Sequence, residues 1–78
     1  MADQGFTLDP GRSHVELNQL LKLCGLAGSG GEGKHLVATG AVRVDGMVEL
    51  RKTCKIRAGQ VVEAAGARIR VLPPVDGG

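Results

Sequence analysis

The spacing of apolar residues changes at Gly40, and that change constrains the fold more than any other feature of the chain. Before it, Leu17, Leu20, Leu21 and Cys24 recur at i, i+3, i+4 and i+7, the stripe of an amphipathic helix. After it, "AVRV" and then "ARIRVL" alternate with the period of two that belongs to half-buried strands. A chain that reads helical first and extended afterwards is expected to be α+β, with a helical hairpin packed on a small, mainly antiparallel twisted sheet. Seventy-eight residues make one small domain, which buries only about 60% of its unfolded surface. One shared core has to serve helices and strands alike.

Local signals refine this outline. Ser13 followed by Glu16 reads as a capping box and predicts a first helix over 14–24, stopped by Gly25, with Lys22 toward solvent. Ser29 followed by Glu32 is a second box, opening a helix that ends at Gly40. Gly33, Leu36 and Val37 form its inward stripe, and the missing side chain at Gly33 permits close approach to the first helix. The "LAG" link between them predicts an αα-hairpin. Asp45-Gly46 predicts a tight hairpin turn. A strict two-residue hairpin would put Glu49 on the face of Val42, so the pairing is expected to break or bulge within a few residues. Ala58-Gly59 reads as a turn before a strand through Val61 and Val62. In the last strand Ile69 and Val71 should point inward, Arg68 and Arg70 outward. Residues 1–12 read as a polar extension in which "FTL" is at most one short strand, residues 13–72 as the domain, and 73–78 as a loose tail.

Several function classes drop out. The stretch "GSGGEGKH" satisfies both G-x-x-x-x-G-K and G-x-G-x-x-G. A phosphate-binding loop of either kind follows a buried strand, and the first kind needs Ser or Thr after the Lys. Here a helix precedes it and His35 follows Lys34, so no nucleotide is expected. Cys24, Cys54, His14 and His35 show no C-x-x-C or H-x-x-x-H spacing, which argues for free thiols rather than a metal site. Glu16 and Glu32 are accounted for as caps, and no cofactor or catalytic constellation is expected. No apolar run approaches the ~20 residues of a membrane span. The N-terminus has no signal-peptide pattern, so a cytoplasmic, monomeric protein without membrane association is the expectation.

The formal net charge is only +2, but its distribution is uneven. Arg43, Arg51, Lys52, Lys55 and Arg57 stand against Asp45 and Glu49 alone between residues 43 and 57. Such a cluster is the footprint of an anionic partner. The start of the second helix, with Lys34 one turn in, could also attract a phosphate through free N–H groups.

Taken in order, Leu20 to Leu23, Ser29, Gly40 to Gly46, Arg51 to Lys55 and Gly59 to Val62 resemble the alpha-L RNA-binding motif, the RNA-binding domain of ribosomal protein S-four. The likeness covers about residues 14–72 and is greatest to small stand-alone bacterial members. It implies recognition of structured RNA, ribosomal or transfer RNA, with the ribosome as a candidate partner. The implied contacts are Lys34, Arg43, Arg51, Lys52 and Lys55, with Ser29 and Gly30 at the helix start. Many family members carry Arg where this chain has Gly30, and Asn where it has Asp45. Phe6, the only aromatic residue, lies outside the motif, which favours phosphate and shape contacts over base stacking. A protein–protein adaptor using the same basic face against an acidic partner in translation or quality control remains the alternative.

Overall fold

The computed structural model describes residues 2–75. Seven strands and two helices follow in the order β1 (Ala2–Thr7), β2 (Val15–Glu16), α1 (Leu17–Leu23), α2 (Gly30–Ala38), β3 (Arg43–Val44), β4 (Met47–Val48), β5 (Lys55–Ile56), β6 (Val61–Ala64) and β7 (Ala67–Leu72). Five strands form a sheet ordered β1-β7-β6-β3-β4, and β2 pairs with β5 in a separate two-stranded ladder. All pairings are antiparallel except that of β1 with β7. The expected α+β architecture is the one observed.

The core lies between the helices and one sheet face. Leu17, Leu20 and Leu21 of α1, Val37 of α2, and Val42, Ile56, Val62, Ile69 and Val71 of the extended half are all fully buried. The β7 alternation matches its sequence reading, with Ala67, Ile69 and Val71 buried and Arg68, Arg70 and Leu72 exposed. Gly33 is buried against α1: a Cβ placed there would lie 2.8 Å from the backbone oxygen of Asn18. The helix pair is therefore packed backbone to backbone at that point, as the bare position on the stripe implied.

Helix α1 departs from expectation at its start. It begins at Leu17, Glu16 has an extended backbone and no side chain caps the helix. The Ser13–Glu16 box does not form; Ser13 Oγ instead lies 3.3 Å from Nδ1 of the half-buried His14. The physical reason is a tertiary substitute. The N–H groups of Leu17 and Asn18 donate to the carbonyls of Cys54 (2.9 Å) and Lys52 (3.0 Å), so two orphan donors of the first turn are satisfied without a side-chain cap. Val15 and Glu16 are drawn into β2 beside Ile56 and Lys55.

The second box forms with a shift. Ser29 Oγ accepts from the Glu32 N–H (3.2 Å), while the Glu32 carboxylate accepts from the Gly28 N–H (2.6 Å), one residue before the position of a standard box. Asp45 and Gly46 both have positive φ (52° and 84°), as a two-residue primed turn requires. The β3–β4 ladder ends one bond beyond its two pairs, where the Glu49 N–H donates to Val42 oxygen (3.0 Å). The early break anticipated from Glu49 is what occurs. The Asp45 carboxylate accepts from the Val61 N–H (3.0 Å) and Gln60 Nε2 (3.2 Å), fastening the turn to β6.

The N-terminal segment is more ordered than its composition suggested. Instead of a brief "FTL" strand, β1 runs the length of β7 in parallel register from Ala2↔Ala67 to Thr7↔Leu72, and the Leu8 N–H continues to Leu72 oxygen (3.0 Å). Beyond β7, residues 73–75 belong to no element, and the remainder of the anticipated tail lies outside the described residues.

Candidate nucleic-acid interface

The first turn of α1 joins the two segments that carry the basic residues. On one side the Asn18 N–H is held by the Lys52 carbonyl. On the other, the Asn18 carbonyl abuts Gly33 of α2. Lys34 follows Gly33 directly, and Lys55 sits opposite Glu16 in the β2–β5 ladder. Lys34, Lys52 and Lys55 are all exposed, and backbone contacts bring the three segments that carry them against the start of one short helix. No ion pair to any of the three is present among the described residues.

Ser29 and Gly30 sit at the start of α2, about one turn before Lys34. The Ser29 hydroxyl is engaged by the Glu32 N–H, and among the described residues no protein acceptor meets the N–H groups of Gly30 or Gly31. A Cβ at Gly30 would meet nothing within 4 Å, so the backbone there is open to close approach by an anion. The nearby Glu32 carboxylate partly offsets the helix dipole. This end therefore offers directional donors, and the lysines supply the net charge.

Arg51 is differently placed. Its Nε and Nη2 donate to the two Glu49 carboxylate oxygens (3.2 and 3.3 Å), and its backbone N–H donates to the same group (3.0 Å). The guanidinium is 77% exposed, against 19% for the Glu49 side chain, so it faces solvent while partly neutralised. The hydrogen bonds from the Arg51 side chain and backbone hold the Glu49 carboxyl at about 2, below its usual 4.5. A carboxyl lowered by folding stabilises the fold above its unfolded value, and that contribution disappears as pH falls from about 4.5 toward 2. In Glu49→Gln, thermal melts across this acid window should show a shallower loss of stability than wild type.

Arg43 is not gathered with the lysines. Strand alternation turns Val44 toward the core side and Arg43 to the sheet face away from the helices, in a cross-strand row with Glu63, Arg68 and Asp3. The cysteines are free and half-buried, and burial raises both thiols above the usual value, which disfavours the reactive thiolate. No group of three His, Cys, Asp or Glu side chains suited to a metal occurs among the described residues, and none of their helices is long and apolar enough to cross a membrane.

One residue was missed from the sequence. Asn18 is 7% exposed, and its Oδ1 finds no hydrogen-bond partner among the described residues. It lies beside the helical stripe, where a polar residue ordinarily reads as surface. Only the tertiary contacts from Lys52 and Gly33 reveal it as the junction of the site.

The family model for the S4 domain matches residues 8–72, which include the helical hairpin, the β3–β4 turn and the basic loop. The chain belongs to the S4 domain family. YbcJ of Escherichia coli K12 is 54% identical over 59 residues, covering 76% of this chain and 84% of that protein, and YbcJ of Shigella flexneri matches to the same extent. The solution structure of YbcJ from E. coli, described as revealing an alpha-L motif involved in RNA binding, superposes with a TM-score of 0.67 at 50% identity. That alignment covers 87% of this chain and 85% of the other. The α+β arrangement seen here is thus the alpha-L fold.

Proposed function

We propose that this protein binds structured RNA through the face built on the first turn of α1, with Lys34, Lys52 and Lys55 on backbone phosphates and the Ser29–Gly30 helix start on a further one. The observation that carries this reading is the convergence of α2 and the basic loop on Asn18, which brings the segments bearing Lys34 and Lys52 to one helical turn, with no ion pair to Lys34, Lys52 or Lys55 among the described residues. The RNA-binding motif ascribed to the related YbcJ structure supports it. Arg51 adds a partly neutralised charge, and Arg43, on the other sheet face, contributes less. Glu49→Gln frees the Arg51 guanidinium and should tighten binding a few-fold.

Phosphate and shape contacts suit a folded RNA, with ribosomal and transfer RNA the natural candidates and the ribosome their setting. The protein acts by binding and not by catalysis, as a single copy. In a titration from low to moderate salt, a folded hairpin should bind tighter than an unstructured strand of the same composition. Log affinity should fall with log salt at a slope of about −3 to −4, for roughly four phosphates. Equal, weak and salt-insensitive binding of both RNAs would contradict the proposal.

One observation favours the adaptor reading. Met47, Val48 and Leu50 are 75%, 53% and 62% exposed on and just after the edge strand β4, an apolar surface beside Arg51. An adaptor would lose its partner on Met47→Ser/Leu50→Ser while keeping any RNA affinity.

A further inference from the structure

We infer that the cleft between the end of β1 and α1 receives one unpaired nucleobase of the bound RNA, a base carrying an exocyclic amino group and best satisfied by guanine. The inference rests on the RNA-binding reading above and extends it from phosphate contact to base selection.

The cleft encloses about 320 Å³ and is open on one side. That lies at the small end of the range for ligand pockets, suiting a single base. Its apolar lining includes Phe6, the one Phe, Tyr or Trp of the chain, and Leu23, which is 59% exposed. Phe6 shares its register position with Val71 on the core side of β1, so the parallel pairing of β1 with β7 brings a residue outside the motif to the flank of α1. A half-buried ring backed by the core is a platform on which one base can stack.

The polar lining selects the occupant. Asp9, Glu16 and Gln19 border the apolar floor, with Arg12 and His14 at the same cleft. Two carboxylates repel phosphate, so this is not a continuation of the lysine face. Ionised carboxylates only accept hydrogen bonds, and base amino groups donate them. Guanine offers N1–H and N2–H donors to a carboxylate and the O6 acceptor to an arginine, a combination uracil cannot present.

The cleft also lies where an RNA strand would reach it. Glu16 lines it and is the register partner of Lys55. The next residue, Leu17, is held by the Cys54 carbonyl at the end of the basic loop. A nucleotide leaving a helix gripped at Lys52 and Lys55 therefore meets this opening directly.

The test compares one hairpin in three forms: blunt, with a single unpaired guanosine at either end, and with a single unpaired uridine at either end. Wild type should bind the guanosine form about tenfold tighter than the blunt form, with a clearly smaller gain for uridine. Phe6→Leu, which removes the stacking ring, should bring the guanosine-to-blunt ratio close to one. Asp9→Ala/Glu16→Ala, which removes both acceptors and leaves the core untouched, should lower the guanosine gain to that of uridine. A wild-type guanosine gain equal to that for uridine, no gain at all, or a guanosine gain left unchanged by either variant overturns the inference. If the blunt hairpin binds but guanosine adds nothing, only the cleft assignment fails. If no form binds, the RNA-binding reading fails with it.

Discussion

Gly33→Ala should destabilise the fold by about 1–3 kcal/mol, although alanine is the better helix former by about 1 kcal/mol. The new Cβ would stand 2.8 Å from the Asn18 carbonyl oxygen and 3.6 Å from its carbon and Cα, and all three are backbone atoms. No side chain can swing aside to make room. The backbone cannot yield alone either, because the Leu17 and Asn18 N–H groups are fastened to Cys54 and Lys52. Moving the α1 turn would therefore shift the basic loop, so the variant should also bind RNA less tightly. Gly31→Ala is the contrast, since its Cβ would meet only the Ser29 hydroxyl at 3.7 Å. That variant should be neutral or stabilising by up to about 1 kcal/mol, less than the mid-helix value because it lies in the first turn. Urea unfolding of the two variants beside wild type measures both. A Gly33→Ala protein as stable as Gly31→Ala would mean the helices are not in backbone contact.

The same contact illustrates how much of the fold the sequence made readable. Gly33 was legible because a bare position on an apolar stripe has one economical explanation, a neighbouring backbone. The β7 alternation and the Asp45-Gly46 turn were legible for a similar reason: each is a local rule with a local cause. The Ser13–Glu16 box looked equally local, yet the carbonyls of Lys52 and Cys54, more than thirty residues away in the chain, bind the Asn18 and Leu17 N–H groups and start the helix there instead. Strand β1 was hidden for the opposite reason. "ADQGFT" carries no apolar alternation, and its order derives from the hydrogen-bonding edge that β7 offers.

Reversing the three lysines, as Lys34→Glu/Lys52→Glu/Lys55→Glu, should lower affinity for a folded RNA hairpin by about a hundredfold or more at low salt. It should also reduce the slope of log affinity against log salt by about three, one for each phosphate no longer neutralised. The effect is large because these ammonium groups meet no carboxylate partner among the described residues and give their whole charge to the ligand. All three side chains are exposed, so the variant should remain folded. Arg68→Glu/Arg70→Glu is the control, with two charges reversed instead of three. It also removes positive charge, but from the sheet face opposite the helices, where Glu63 and Asp3 already interleave with the arginines. Its loss should be several-fold, through the long-range field alone.

The membership of the site was only partly visible in the sequence. A run such as "LRKTCK" shows where charge accumulates but not which charges are already spent. Arg51 reads as equivalent to Lys52, yet it is engaged by Glu49. Arg43 reads as part of the same cluster, yet β3 turns it to the other face. Asn18 gives no charge signal and acquires its place only through packing.

The most direct test of the central claim is the hairpin titration of wild type, the triple lysine variant and the Arg68/Arg70 control side by side, after circular dichroism has established that all three are folded. The account predicts tight, salt-sensitive binding by wild type, near-complete loss in the lysine variant and a modest loss in the control. Comparable losses in the two variants, or binding that survives reversal of the three lysines, would contradict it and move the RNA contact away from the first turn of α1.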